Sequence, residues 1–419
     1  MVFLNKGNPF NLATNAETQY PLQSSCPNEN ENNILSKPEE IKNFLVKELG
    51  SGASIKDFLK VPNRIYRDDK NFVPPLMFER REVFSKKNNV FNSIQWQGWV
   101  AYVDSQPVAR ITAHIDYKHL DKYNDEMGFF GFIEGPNNYH IFQKMFEIAE
   151  NWLKERGVRR VRGPFNFTIN QELGILVDGF DTPPYIMMTH ALPYYGPLIE
   201  SLGYSKGTDL LAYLIDAEFE TPKIMAKLLR RLLGEVTIRS LDKKNKIADL
   251  DTIRDIFNDA WEDNWGFIPF ERQAFRKIGE EMLMLIPPDF IQIAEIDGEP
   301  VAFIVLLPNI NEAIADLNGK LLPFGWLKLI WRLKFRYPQT ARIPLMGVRK
   351  RYHNTRYGPG LALSVVDALR APGIAKGLKE IEMSWILDDN SAMKNIISIL
   401  GGRLSKRYRV YEKDFSDQY

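Results

Sequence analysis

Residues 347–360 read Gly347-Val348-Arg349-Lys350-Arg351-Tyr352-His353-Asn354-Thr355-Arg356-Tyr357-Gly358-Pro359-Gly360. They follow an apolar run that reads as a strand (341–348) and open a run with helical periodicity (361–376). Glycines let a backbone approach a ligand closely, and a helix N-terminus presents unpaired N–H groups with a partial positive charge. Arg349, Lys350, Arg351 and Arg356 add full charges. Such a segment suits a pyrophosphate or another anion. An ordinary basic strand-to-helix loop has the same composition, and on these residues alone both readings stand.

Other chemistry finds less support. His114 and His119 are five apart across a strand end, His140 opens a helix, and His190 and His353 fall in loops, so the histidines make no ligand cluster and no metal is expected. His190 precedes Tyr194-Tyr195 and reads either as a plain loop residue or as part of a substrate pocket. Cys26 is the one cysteine, which excludes an internal disulfide framework and a cysteine zinc site. No Ser/His/Asp nucleophile arrangement is visible.

The chain has 419 residues, 44% of them hydrophobic, enough for two or three domains with sizeable cores. Its formal net charge of +1 gives no global attraction to polyanions, and nucleic acid is not an expected partner. Residues 1–40 lack the basic and apolar pattern of a signal peptide, and no run of about 18 apolar residues appears. The expectation is a cytoplasmic protein, with peripheral contact on the inner face of the membrane left open by one segment. That segment, 320–336, carries five basic residues and no acid, with Trp326, Leu329, Ile330 and Leu333 on one face of a helix and Lys328, Arg332 and Arg336 on another. It suits a membrane interface or burial against another part of the chain.

Periodicity places the remaining elements. Residues 1–36 are polar and aperiodic and read as a disordered leader. The first half then gives a strand at 41–49, a helix at 55–66, strands at 99–103 and 108–114 joined at Ser105-Gln106, and a strand at 127–133. A helix at 141–156, a strand at 158–162, a Gly- and Pro-rich excursion at 163–193, a helix at 194–202 and a strand at 210–215 complete it. The order then restarts: a strand at 236–240, helices at 247–265 and 272–285, and strands at 290–296 and 301–307 about Asp297-Gly298. A strand at 341–348, a helix at 361–376, a strand at 381–387, a helix at 391–400 and a strand at 408–412 follow. The expected fold class is mixed α/β (α+β). Two tandem domains, 37–215 and 235–415, are joined by a linker at 216–234, each a mostly antiparallel sheet flanked by helices.

Thr355-Arg356-Tyr357-Gly358-Pro359-Gly360 resembles the Gln/Arg-x-x-Gly-x-Gly/Ala loop on which the GNAT superfamily seats the pyrophosphate of coenzyme A. The glycines match, Thr355 replaces the leading Gln/Arg, and Arg356 brings the charge one position later. Asn390-Ser391-Ala392 and Leu400-Gly401-Gly402 resemble the superfamily's Asn-x-x-Ala helix closing on Leu-Gly-Phe. In the first half Gly128–Phe132 and Leu202-Gly203-Tyr204 resemble a divergent copy, but its loop begins with Glu134, which would repel a phosphate. As a whole, residues 41–415 resemble a bacterial family of tandem GNAT-fold proteins related to bacterial ceramide synthases, best at 385–390 and 179–184.

The resemblance implies an N-acyltransferase that moves an acyl group from acyl-CoA, or from an acyl-carrier-protein thioester, to an amine. The donor is a cosubstrate and no tightly bound cofactor is expected. The donor would lie in the second half on Gly347, Val348, Arg349, Arg351, Arg356, Tyr357, Gly358 and Gly360. Segments 163–193 and 320–336 would frame the acceptor, of which a sphingoid base is the first choice. Amine acylation needs a base and an acid to assist the leaving thiolate. Glu382, on one strand face with Ser384, and Asp388, at the strand end, are candidates for the base. Asn390 is read as a helix cap that can also hold a water or the donor. The tyrosine that often serves as acid is replaced by Ile397. Acetylation of a small polar amine and non-catalytic acyl-CoA binding remain alternatives.

Overall fold

The computed structural model describes residue 41, residues 43–284 and residues 286–415. The predicted leader 1–36, with Cys26, lies outside the described residues. The first half runs β1 (Leu45–Glu48), α1 (Ile55–Ile65), α2 (Met77–Val83), β2 (Ile94–Val103), β3 (Gln106–Asp116), α3 (Tyr117–Tyr123), β4 (Met127–Glu134), α4 (Tyr139–Lys154), β5 (Arg160–Gly163), β6 (Ile175–Asp178), α5 (Tyr195–Ser201) and β7 (Ser205–Asp216). The connection carries α6 (Lys223–Leu232). The second half runs β8 (Val236–Ser240), α7 (Lys246–Trp261), α8 (Arg272–Met282), β9 (Ile291–Ile296), β10 (Glu299–Pro308), α9 (Asn311–Ile314), α10 (Gly325–Phe335), β11 (Thr340–Val348), α11 (Gly358–Ala375), β12 (Glu380–Leu387), α12 (Ser391–Ile399) and β13 (Arg403–Asp414).

Local chemistry accounts for many boundaries. Asn138 accepts from the Ile141 amide and caps α4, and Asn390 accepts from the Met393 amide and caps α12, as its residue type predicts. Asp297 and Gly298 both take positive φ, the geometry that a two-residue hairpin demands. The β2–β3 turn falls at Asp104-Ser105, one residue before the expected position, again with both φ positive. The predicted excursion 163–193 hides the short strand β6, and α2 was not expected.

Among the described residues one thirteen-stranded sheet runs β1-β2-β3-β4-β5-β13-β7-β12-β11-β10-β9-β8, with β6 pairing off this path to β13. The molecule is mixed α/β, with helices flanking this sheet. Pairing is antiparallel except for β4–β5 and β11–β12, one parallel pair in each half. The last strands are exchanged. β13, which ends the second half, pairs with β5 of the first, and β7, which ends the first half, pairs with β12 of the second. The two exchanged strands also pair with each other from Arg403↔Leu214 to Glu412↔Ser205. Asp209 on β7 is buried at that junction and accepts from Arg407 Nη1 (3.1 Å) and Arg409 Nε (2.8 Å) on β13. A single hydrophobic cluster therefore runs from Phe130 and Phe146 in one half to Phe257 and Val365 in the other.

Candidate active site between the halves

Each parallel pair parts into a V. The β4–β5 register ends at Phe129↔Arg162 while β4 continues to Glu134, and β11–β12 ends at Ile343↔Met383 while β11 continues to Val348. In the first half the chain itself enters the V. The Phe165 amide donates to the Phe130 carbonyl (2.8 Å), and the Phe132 amide donates to Asn166 Oδ1 (2.8 Å). A side chain at Gly131 would collide with the Phe165 carbonyl oxygen. The following loop is also filled, because Tyr195 Oη accepts from the Gly135 amide (3.1 Å) and Tyr194 Oη donates to its carbonyl (2.8 Å).

The corresponding loop of the second half is charged and faces solvent. Arg351 pairs with Glu299 (2.5 Å), Lys350 with Asp263 (2.5 Å), and Arg356 with Glu235 (3.5 Å). Arg349 Nε donates to the Pro300 carbonyl (2.9 Å). Tyr357 Oη donates to Glu235 (2.5 Å). Exposed pairs of this kind contribute at most about 1 kcal/mol, so a phosphate can take over their cations at little cost. Gly358 is needed for packing: a Cβ there would lie 2.6 Å from the Tyr352 carbonyl oxygen and 2.7 Å from that of His353. Gly360 packs on Leu232 of α6, and Gly347 and Val348 are buried at the strand end. Beside the loop, α6 carries an open basic dish formed by Lys223, Lys227, Arg230 and Arg231.

A cavity of 440 Å³ lies between the halves, within the range of about 300–1,000 Å³ usual for small-molecule sites. The excursion contributes Pro164, Asn166, Glu172 and Ile186–His190, and the inserted helix α10 contributes Leu329 and Leu333. None of residues 347–360 lines it. Its apolar wall includes Phe72, Ile278, Met282, Ile310 and Ile314. Its polar wall holds four carboxylates, Glu79, Glu134, Glu172 and Glu281, against two guanidinium groups, Arg80 and Arg110. Arg80 forms a two-pronged pair with Glu172, which Asn166 Nδ2 also reaches (3.0 Å), and Arg110 pairs with Glu134. Burial pushes Glu134 up, with Arg110 opposing. Burial would raise Glu172 too, but the charge and hydrogen bonds of Arg80 outweigh it and hold this carboxyl below its ordinary range.

The expected base residues are not brought together on this cavity. Glu382 is fully buried: Oε1 accepts from Ser384 Oγ (2.6 Å) and lies 3.8 Å from Arg342 Nε. Burial pushes its carboxyl up. Arg342 Nη1 donates to the Ile186 carbonyl (3.0 Å), and Ser384 Oγ contacts Met188 Sδ (3.5 Å), so Glu382 stands one layer behind the cavity wall. Asp388 pairs with Lys206 on the surface (2.7 Å), and Asn390 is occupied as a cap.

Most of the histidines are absorbed by the core. Burial lowers His114 to about 3 and lowers His353, and each ring bonds a backbone carbonyl through Nε2. His119 meets Asp125 (3.0 Å). His190 differs in lining the cavity, with Nε2 on Asp69 Oδ2 (2.6 Å). Among the described residues no group of three or more His, Cys, Asp or Glu side chains is placed to hold a metal ion. Asp69, Arg80 and Glu172 escaped the sequence reading because their partners lie 92 to 121 residues away.

Helix α10 has no buried residue. Trp326, Leu327, Ile330, Trp331 and Phe335 are exposed, with Leu322 and Phe324 just before them. Lys328 and Arg332 turn back onto Asp316, which anchors the helix. Burial of this helix against the other half, one of the two sequence readings, is thus excluded. Among the described residues no helix is long and apolar enough to cross a membrane.

No family model matches the chain. Protein YghO of Escherichia coli (strain K12) is 45% identical over 382 residues, which cover 91% of this chain and 97% of that protein. A bacterial ceramide synthase of Caulobacter vibrioides (strain NA1000 / CB15N) is 40% identical over 364 residues, 86% of this chain and 95% of that protein. Among solved structures, a tandem GNAT protein from the clavulanic acid biosynthesis pathway aligns over 90% of this chain and all of its own, with a TM-score of 0.51 at 8% identity. A GCN5-related glucosamine N-acetyltransferase region in a fungal multi-domain GH3 β-N-acetylglucosaminidase gives a TM-score of 0.52 at 12% identity. It covers 88% of this chain, which spans 38% of that longer one. At these identities the two structures establish a shared fold.

Proposed function

The chain belongs to a tandem GNAT-fold N-acyltransferase family related to bacterial ceramide synthases, and from that premise we propose that it acylates a long-chain amine, such as a sphingoid base, in the cavity between its halves. The acidic and apolar character of that cavity carries the reading. Carboxylates in excess over guanidinium groups suit an ammonium and disfavour the phosphates of a donor. The apolar wall, with Leu329 and Leu333 of α10, suits an alkyl chain.

The donor, acyl-CoA or an acyl-carrier-protein thioester, takes the opposite electrostatics. Its phosphates go to Arg349, Arg351, Arg356 and Tyr357 on the loop that Gly347, Val348, Gly358 and Gly360 shape. The α6 dish beside that loop adds further cations for a phosphate or an acidic carrier. Glu382 supports the chamber from behind, because Arg342 and Ser384, which it holds, contact Ile186–Met188. Helix α10 docks on an anionic membrane surface, its exposed tryptophans entering the headgroup region and Lys334 and Arg336 facing the lipid phosphates. A lipid amine then enters without leaving an apolar environment.

The test is to incubate purified protein with a sphingoid base and long-chain acyl-CoA or acyl carrier protein and to seek the amide by mass spectrometry. An amide of defined chain length is expected. Absence of product with every chain length and both carriers overturns the lipid reading, and product only from acetyl-CoA and a small polar amine replaces it.

A further inference from the structure

The outer face of α6 carries Lys223, Lys227, Arg230 and Arg231, all of them exposed. Their spacing puts them on one side of the helix, opposite the buried Met225 and Leu232. Among the described residues none of the four meets a carboxylate, and Arg230 Nε donates to the Ala226 carbonyl of its own helix (3.2 Å). Glu218 and Glu220 precede the helix, and neither lines the dish. The neighbouring loop differs, because Lys350, Arg351 and Arg356 are each paired with a surface carboxylate. Lys223 and Lys227, like Lys227 and Arg231, are equal charges four residues apart, which repel on a helix. Lys223 at the first position also opposes the helix dipole, and the first turn holds no acid. An anionic partner covering this face relieves that repulsion.

The face runs about 12 Å along the helix axis, longer than one phosphate group, and it is open rather than enclosed. No aromatic side chain lines it, so it lacks the lipid anchors that α10 exposes. Both features suit the acidic side of a folded protein. The face also adjoins the donor loop, since a Cβ on Gly360 would stand 2.7 Å from Leu232 Cδ1.

We propose that α6 is the docking surface for an acyl carrier protein, which presents the acyl chain as a thioester on its prosthetic arm. This rests on the N-acyltransferase reading above and gives that reading its donor. Acyl carrier proteins are small and acidic, so their carboxylates meet the four cations. The single phosphate of the arm goes to Arg351 and Arg356 on the adjoining loop, and the thioester beyond it extends toward the cavity. The C–S bond of the thioester breaks and the C–N bond of the amide forms. One proton of the acceptor ammonium ends on the carrier's thiol, and a second goes to solvent.

The experiment measures amide formation from palmitoyl-acyl carrier protein and from palmitoyl-CoA, with a sphingoid base as acceptor, in wild type and in Lys227→Glu/Arg231→Glu. The variant's KM for the carrier is expected to rise at least about tenfold, with the KM for palmitoyl-CoA within about twofold. Its melting temperature should not fall, because like-charge repulsion is removed. In wild type, kcat/KM for the carrier is expected to drop with added salt. Equal rises for both donors make the face a coenzyme A phosphate site and overturn the proposal. A wild type that uses palmitoyl-CoA alone also overturns it. An unchanged carrier KM does so too, and gives the face to lipid if binding to anionic vesicles is lost. If the variant fails to fold, Lys227→Gln/Arg231→Gln is read in the same way. Should wild type form no amide from either donor, the function reading fails separately, and calorimetry with holo acyl carrier protein decides the docking. Binding that the variant abolishes supports it. Binding absent from wild type, or kept by the variant, refutes it.

Discussion

The end of β4 and the end of β11 occupy the same place in the two halves and meet opposite surroundings. After β4 come Glu134, buried against Arg110, and Gly135, clamped by Tyr194 and Tyr195. After β11 come Arg349, Lys350 and Arg351 on a solvent-facing loop, the last two held by surface carboxylates. One topology thus supplies an acidic chamber at one strand end and a cationic loop at the other. The difference follows from a few side chains, and under the proposed function it divides an amine from a phosphorylated donor.

The largest effect is expected at the acidic chamber. Arg80→Ala leaves Glu172 without its cationic partner and should cost about 3 kcal/mol in denaturant unfolding, together with the activity. The double variant Arg80→Met/Glu172→Leu should regain most of the stability, since an apolar pair can replace a buried ion pair, yet remain inactive. Activity in the double variant would show that the charges serve packing alone and would break the comparison.

The next effect concerns the exchanged strands, which hold the two regions together. Burial pushes the Asp209 carboxyl up, but hydrogen bonds from Arg409, Lys206 and Arg407 outweigh it and keep its value below normal. The group therefore contributes stability above its unfolded value of about 3.9, and that stability is lost as pH falls below it. Asp209→Asn should cost about 3 kcal/mol at pH 7, and should lose less stability than wild type between pH 5 and pH 3, as read by urea midpoints. Equal acid sensitivity in the two proteins would remove Asp209 from this role.

A smaller change is expected at the cationic loop. The triple variant Arg349→Ala/Arg351→Ala/Arg356→Ala should weaken coenzyme A binding at least about tenfold by calorimetry, or about 1.4 kcal/mol. Its folding stability should fall by at most about 1.5 kcal/mol, because the pairs of Arg351 and Arg356 are exposed and a single part-buried hydrogen bond, Arg349 to Pro300, is lost with them. Unchanged affinity would erase the assigned contrast between the two strand ends. The smallest effect is at α10, where Trp331→Ala should reduce binding to anionic vesicles several-fold without changing the melting temperature.

Much of the fold was legible because its signals are local. Asp297-Gly298 predicts its hairpin from the φ angles that the turn needs, Asn390 predicts a cap, and the apolar periods of 141–156 and 361–376 predict their helices. Strand β6 escaped because four residues inside a Gly- and Pro-rich stretch give too little alternation. The candidate chamber was legible only as two framing segments, 163–193 and 320–336. Its charges were not, since Arg80–Glu172, Arg110–Glu134 and Asp69–His190 join residues 24 to 121 apart.

The sequence by itself determined the longer elements and their order, the mixed α/β class and the position of the basic glycine loop, because periodicity, turn chemistry and composition act over a few residues. Only the tertiary structure decided that β7 and β13 change places, that Glu382 is sealed in the core, and that His190 meets Asp69 on a cavity wall. Strand partners and ion pairs are selected by long-range packing. The free energy of burying one surface against another sets which distant residues meet, and no local pattern encodes that choice.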